Sequence, residues 1–211
     1  MIGLPTETDD DIIGIADTAQ KIVDLYTEIT GRPGGKGLNI TISLASFVPK
    51  PFTPFQWEPQ ITLEEIRRKQ QLLLSSIKSK RITLNYHEGK TSVLEGAFAR
   101  GDRRIGKVIL RAYELGQRLD AWNEHFRFDV WQQAFADCGL SMEEYACRRI
   151  GFDDELPWDV TDMGVTKKFL ESECKKAYEG QTTPPCSQKC SGCGVTSICS
   201  GDLCPKKEAG K

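Results

Sequence analysis

The chain has 211 residues, of which 39% are hydrophobic and 27% charged, and 28 Lys and Arg against 30 Asp and Glu give a formal charge of -2. That length supports one or two domains with a real core. The near-balanced charge excludes a global basic field for nucleic acid or an anionic membrane, and no apolar run approaches the ~20 residues that span a bilayer.

Met1-Ile-Gly-Leu-Pro-Thr-Glu-Thr8 reads as a strand end and a turn. Thr8 then caps a helix that opens with Asp9, Asp10 and Asp11, where acids suit the helix dipole. Ile12, Ile15, Ala16, Ala19, Ile22, Val23 and Tyr26 recur on one helical face, and Gly31 marks the stop. A strand follows from Leu38 to about Val48, with Leu38, Ile40, Ile42 and Leu44 alternating against Asn39, Thr41 and Ser43. Strand, helix, strand at this spacing predicts a parallel sheet. Such alternation is unusual for a parallel sheet buried on both faces. It suits a barrel with helices outside and a polar interior.

Pro49-Lys-Pro-Phe-Thr-Pro-Phe-Gln-Trp57 forbids a helix or a central strand. It is expected either to run extended across a barrel end, pinned by Phe52, Phe55 and Trp57, or to be a loop that merely covers core. A helix runs from Thr62 to about Lys80, with Thr62 and Glu65 as a capping box and a basic flank of Arg67, Arg68, Lys69, Lys78, Lys80 and Arg81. That flank reads as a solvated face, with RNA contact as the open alternative. Ile82 to Tyr86 suits a short strand. Helices are predicted over Ser92–Arg100, from Ile105 to Gly116, over Phe128–Cys138, over Ser141–Arg149 and over Lys167–Glu179. Trp122, Trp131 and Trp158 are expected as core anchors. His87 and His125 have no Ser, Cys or metal partner at a telling spacing, and Asp153-Asp-Glu155 reads as a solvated loop. Arg100-Gly-Asp-Arg-Arg104 suits either a phosphate or carboxylate contact or a turn with internal ion pairs.

Five of the eight cysteines crowd the C-terminal run Cys186, Cys190, Cys193, Cys199 and Cys204, spaced C-x3-C-x2-C-x5-C-x4-C. The N-terminus lacks the basic start and apolar core of a signal peptide. A reducing cytoplasmic location is therefore expected, where clustered thiols are more often metal ligands than disulfides. Thiolates at this spacing suit zinc or iron–sulfur iron. Cys138, Cys147 and Cys174, in helical sequence, are expected as buried or free thiols.

Several stretches resemble one family. Gly3-Leu-Pro-Thr-Glu-Thr-Asp9 is similar to the turn after the fifth barrel strand of radical S-adenosylmethionine (SAM) enzymes, and Ser46-Phe-Val-Pro-Lys-Pro-Phe-Thr-Pro-Phe55 to their sixth-strand segment. Glu95-Gly96, Arg100-Gly-Asp-Arg-Arg104, Leu156-Pro-Trp-Asp159 and Gly164-Val165 resemble an uncharacterised cobalamin-binding-domain-containing group of that family. The resemblance implies a four-iron, four-sulfur cluster on three cysteines that reduces SAM to a 5′-deoxyadenosyl radical, with cobalamin in a further N-terminal domain. It also implies that Gly3, Leu4, Pro5, Thr6, Glu7, Ser46, Val48 and Pro49 lie near the adenosine end of SAM.

In that family the cluster loop follows the first barrel strand, upstream of anything in this chain. The expectation is therefore an α/β chain that forms the C-terminal fragment of a parallel partial TIM-type barrel, with one or two strands. The barrel part would take residues 1–60, a helical extension 61–180 and a metal-binding tail 181–211. Its partner would be the N-terminal part of the same enzyme, and it would be inactive alone. Against this stands a free-standing zinc or iron–sulfur module for partner docking. A third reading makes Cys186, Cys190 and Cys193 the SAM-cleaving cluster itself. That reading is disfavoured because the motif follows Pro184-Pro185 at the end of the chain, with no sheet behind it.

Overall fold

The computed structural model describes residues 1–195. Strands β1 (Ile40–Leu44) and β2 (Ile82–Tyr86) pair in parallel, with Ile40 opposite Ile82 and Leu44 opposite Tyr86. A parallel bridge joins Ile2 to Ser46 on the other side of β1. It is fixed by Ile2 N–H donating to the Ala45 carbonyl at 2.9 Å and Phe47 N–H to the Ile2 carbonyl at 2.7 Å. The order across the sheet is thus the order in sequence: Ile2, β1, β2. Helix α1 (Asp9–Thr30) makes the first crossover and α2 (Leu63–Ser76) the second.

Local chemistry sets these helices. Thr8 Oγ1 accepts from Asp11 N–H while the Asp11 carboxylate accepts from Thr8 N–H, a reciprocal capping box. Gly31 closes α1 in the left-handed region at φ 65°. Ile12, Ala16, Ala19 and Val23 form the buried stripe. Ile22, expected on that face, is 47% exposed. At α2, Thr62 accepts from Glu65 N–H, and the Glu65 carboxylate turns to Arg68.

The two helices cover one face of the sheet. Ile12, Ala16 and Leu73 pack with Ile2 and Leu44, and Ala19 and Val23 pack with Ile82. The opposite face carries Thr41 beside Thr83 and Ser43 beside Asn85, and all four are exposed. β1 is shorter than the 38–48 strand that alternation predicts. The pairing with β2 stops at Leu44, and Ser46 bridges only to Ile2.

The remaining helices are α3 (Gly89–Ala99), α4 (Ile105–Glu114), α5 (Phe128–Asp137), α6 (Met142–Cys147) and α7 (Lys167–Tyr178). Val93, Ala97, Val108, Trp131, Phe135 and Tyr145 share one core from α3 to α6. A second cluster joins Trp57 to Ile150, Leu156, Trp158, Leu170 and Cys174. The proline-rich segment is not extended. It folds through successive turns, with Gln56 N–H to Thr53 O at 3.1 Å and Glu58 N–H to Phe55 O at 3.0 Å. Trp131 and Trp158 are core residues as expected, but Trp122 is 54% exposed, in the turns between α4 and α5. No described helix is long and apolar enough to cross a membrane.

Candidate functional site

All strands of a parallel sheet point the same way, so the segments that leave them meet at one edge. Here those segments are Gly3–Glu7 after Ile2, Ala45–Pro49 after β1, and His87-Glu88 after β2. The structure therefore brings together the two stretches that the family resemblance singles out.

The first turn is held from within. Gly3 sits at φ 89°, and a Cβ there would meet the Ile61 side chain at 2.9 Å, so only glycine fits without displacement. The Glu7 carboxylate accepts from Gly3 N–H at 2.8 Å and from Lys69 Nζ at 2.9 Å. The Glu7 and Lys69 side chains are only 6% and 7% exposed. Lys69 thus leaves the basic flank and becomes an internal tie between α2 and the Gly3–Glu7 turn. Arg68 completes the clamp with two hydrogen bonds to Asp9, at 2.7 and 2.9 Å. Gln70 donates to the His87 carbonyl at 3.1 Å and fixes the third segment.

Of the residues expected near SAM, Gly3 and Pro49 are buried, Leu4 and Thr6 are exposed, and Pro5, Glu7 and Val48 are partly buried. Ser46 is buried, and its Oγ has no hydrogen-bond partner among the described residues. A hydroxyl held out of water without a partner costs stability, and it would gain from a ligand oxygen or nitrogen. His87 and His125 are exposed, as is the Asp153–Glu155 loop.

The cysteines divide into two groups. Cys147 and Cys174 lie in helices, and burial pushes each thiol up to about 11, which makes them poor nucleophiles. Cys138 is a free, partly buried thiol. In the tail, Cys186 is exposed while Cys190 and Cys193 are partly buried. The Cys193 carbonyl accepts from Thr166 N–H at 2.8 Å, which docks the tail on the first turn of α7. Among the described residues no group of three or more His, Cys, Asp or Glu is arranged to hold a metal. Cys199 and Cys204, the other two predicted ligands, lie outside the described residues.

The Arg100–Arg104 motif resolves into two roles. Arg104 pairs with Asp102 at 2.7 Å, the internal ion pair of the blander alternative. Arg100 is fully buried and donates through Nη1 to the Tyr145 and Ala146 carbonyls at 3.1 and 2.7 Å. Burial, with Arg148 nearby, lowers its pKa to about 10. Sequence reasoning also missed Glu58, a buried carboxylate paired with Arg149 and 4.0 Å from the Cys174 thiol. Its setting, immediately after Trp57 at the end of the proline-rich run, was the available signal.

No family model matches the chain, and no solved structure matches it. Uncharacterized protein MJ0966 of Methanocaldococcus jannaschii is 25% identical over 140 residues, which cover 66% of this chain and 29% of that protein. The matched part of the chain thus spans less than a third of the length of that relative.

Proposed function

We propose that the sheet with α1 and α2 is one wall of a partial β/α barrel in a radical SAM enzyme. In this reading the strand-end segments Gly3–Glu7 and Ser46–Pro49 contact the adenosine end of SAM, and the cysteine tail carries an auxiliary zinc or iron–sulfur centre. The reading rests on one observation above all: a parallel sheet whose helix-free face is polar and uncovered. Parallel sheets normally bury both faces, whereas a barrel wall has helices outside and a polar interior. Strand order following sequence order, with both crossover helices packed on one side, supports the same reading.

The catalytic cluster, when bound, supplies the electron that cleaves SAM. In this reading its three-cysteine loop belongs to polypeptide outside residues 1–195. These residues orient the nucleoside and exclude water from it. Cobalamin and a cytoplasmic location come into the proposal only through the subgroup resemblance and the thiol content.

Equilibrium dialysis of the chain against labelled SAM tests the site. Saturable binding is expected, weakened about ten-fold by Ser46→Ala with melting temperature unchanged; that factor corresponds to roughly 1.4 kcal/mol, one hydrogen bond. Absence of saturable binding would sink the SAM contact.

A second reading, a metal-bearing docking knob, is favoured by the contact between Cys193 and Thr166. Anaerobic reconstitution followed by iron, sulfide and zinc analysis addresses it. Equal metal in a Cys186→Ala, Cys190→Ala, Cys193→Ala variant would remove the tail as a metal site.

A further inference from the structure

Beyond the strand-edge site, a cavity of about 460 Å³ opens between the first turns of α2, α3 and α5. Three cations from three elements line it: Arg67 on α2, Lys90 on α3, and Arg127 just before α5. Its apolar wall is Leu63, Phe126 and Phe128. The volume lies in the range of small-ligand pockets. Two acids, Glu88 and Asp129, also border it, so cations outnumber anions by three to two.

The cations are weakly engaged by the protein. Arg67 has no ion-pair or hydrogen-bond partner among the described residues. Arg127 donates only a 3.4 Å contact to the Leu115 carbonyl. Lys90 stands 3.8 Å from Glu88 and 5.7 Å from the centre of the Phe128 ring. Other exposed arginines are tightly held, as Arg68 is by Asp9 and Glu65, Arg104 by Asp102, and Arg111 by Asp137, while Arg148 lies over the Tyr145 ring; what sets Arg67 and Arg127 apart is that they share one cavity with Lys90. One unpaired and one weakly engaged guanidinium fork and an ammonium around one hollow match the oxygens of a phosphate dianion. Phe126 and Phe128, with ring centres 6.4 Å apart and tilted by 44°, offer faces on which a planar ring can stack.

We infer that this cavity binds a phosphomonoester bearing a planar aromatic group, the chemistry of a nucleoside monophosphate. The phosphate sits among Arg67, Lys90 and Arg127, and the ring lies on the phenylalanine wall. Glu88 and Lys90, two and four residues past the end of β2, border the cavity, so it flanks the strand-end edge. The inference needs neither SAM nor metal.

Titration calorimetry on the full 211-residue chain with adenosine 5′-monophosphate, adenosine and inorganic phosphate tests it. Saturable binding of the monophosphate is expected, at least ten-fold tighter than either adenosine or inorganic phosphate. The double substitution Arg67→Ala, Arg127→Ala should weaken it at least ten-fold with an unchanged circular dichroism spectrum. Arg67→Lys, which keeps the charge and loses the fork, should fall between. Affinity should also drop below pH ~6, where the phosphate takes up its second proton. Three results would overturn the inference: adenosine binding as tightly as its monophosphate, wild-type affinity in the double variant, or binding of a single-stranded oligonucleotide that the monophosphate does not displace. Because no arm of the experiment uses SAM or metal, failure here is distinct from failure of the barrel reading.

Discussion

The sheet half and the helical half of this protein solve burial differently. From α3 to α6 apolar residues face inward from every element, and Val93, Ala97, Val108, Trp131, Phe135 and Tyr145 close on one another. The sheet half closes on one side only. Its helices cover Ile2, Leu44 and Ile82, while Thr41, Ser43, Thr83 and Asn85 stay in the open. The lesson is that stability and availability are allotted to different regions. The helical half supplies a core that Ile66 of α2 joins from the sheet half, and the sheet half keeps a polar surface that contributes little to its own stability.

The largest test of that contrast is Phe135→Ala, at a side chain 2% exposed in the helical core. It should cost about 4 kcal/mol in urea unfolding, as core aromatic truncations do. A loss under 1 kcal/mol would show that the helical half is loosely packed and would break the comparison.

Next comes Lys69→Met. It leaves the Glu7 carboxylate buried with only the Gly3 N–H, and should cost about 3 kcal/mol. Adding Glu7→Gln should restore much of that loss, so the double-mutant cycle measures a real coupling. Additive losses would mean that the pair does not act as a unit.

A smaller effect tests the helical half by pH. Arg104 first, then the Arg104 backbone N–H and the Tyr145 hydroxyl, hold the Asp102 carboxyl well below the usual carboxylate range. A depressed folded-state value means its contribution is complete above the unfolded value near pH 4 and is lost as pH falls below it. Asp102→Asn should therefore cost about 1 kcal/mol at pH 7 and flatten the decline in melting temperature between pH 4 and pH 2. An unchanged acid limb would place the sensitivity elsewhere.

Smallest of all, Ser43→Ala and Asn85→Ala on the open sheet face should each stay within about 0.5 kcal/mol. A larger loss in the isolated chain would mean that the face is already engaged.

Much of this was legible in the residues. Thr8 with three following aspartates marked the start of α1 to the residue, and Gly31 marked its end, because caps are local chemistry. The polar alternation at Thr41 and Ser43 anticipated the open sheet face, since the strand period is local too. What failed was whatever depended on distant partners. Lys69 read as one more cation on a solvated flank, and only the fold brings Glu7 beneath it. Arg100 read as an anion contact or part of a turn with internal ion pairs, yet its acceptors are the Tyr145 and Ala146 carbonyls, dozens of residues away. Trp122 read as core because large aromatics usually are. Arg67 and Arg127 could not be joined into one cavity before α2 and α5 had been placed side by side.

The turns after Pro49 carry a consequence for how this sequence can vary. Loops usually tolerate insertions and deletions because few of their atoms are committed. Here the Gln56 side chain accepts from Trp158 Nε1 at 2.7 Å, Trp57 O accepts from Ile150 N–H at 3.0 Å, and Gln60 donates through N–H to Ala146 O at 3.0 Å. Each partner lies in α6 or C-terminal to it, far along the chain. One added or deleted residue between 56 and 60 would slide every one of these contacts out of step. Lengths should therefore drift elsewhere among homologous chains, and this stretch should behave as a fixed-length hinge pin, unsuitable as a crossover point for recombining the two halves.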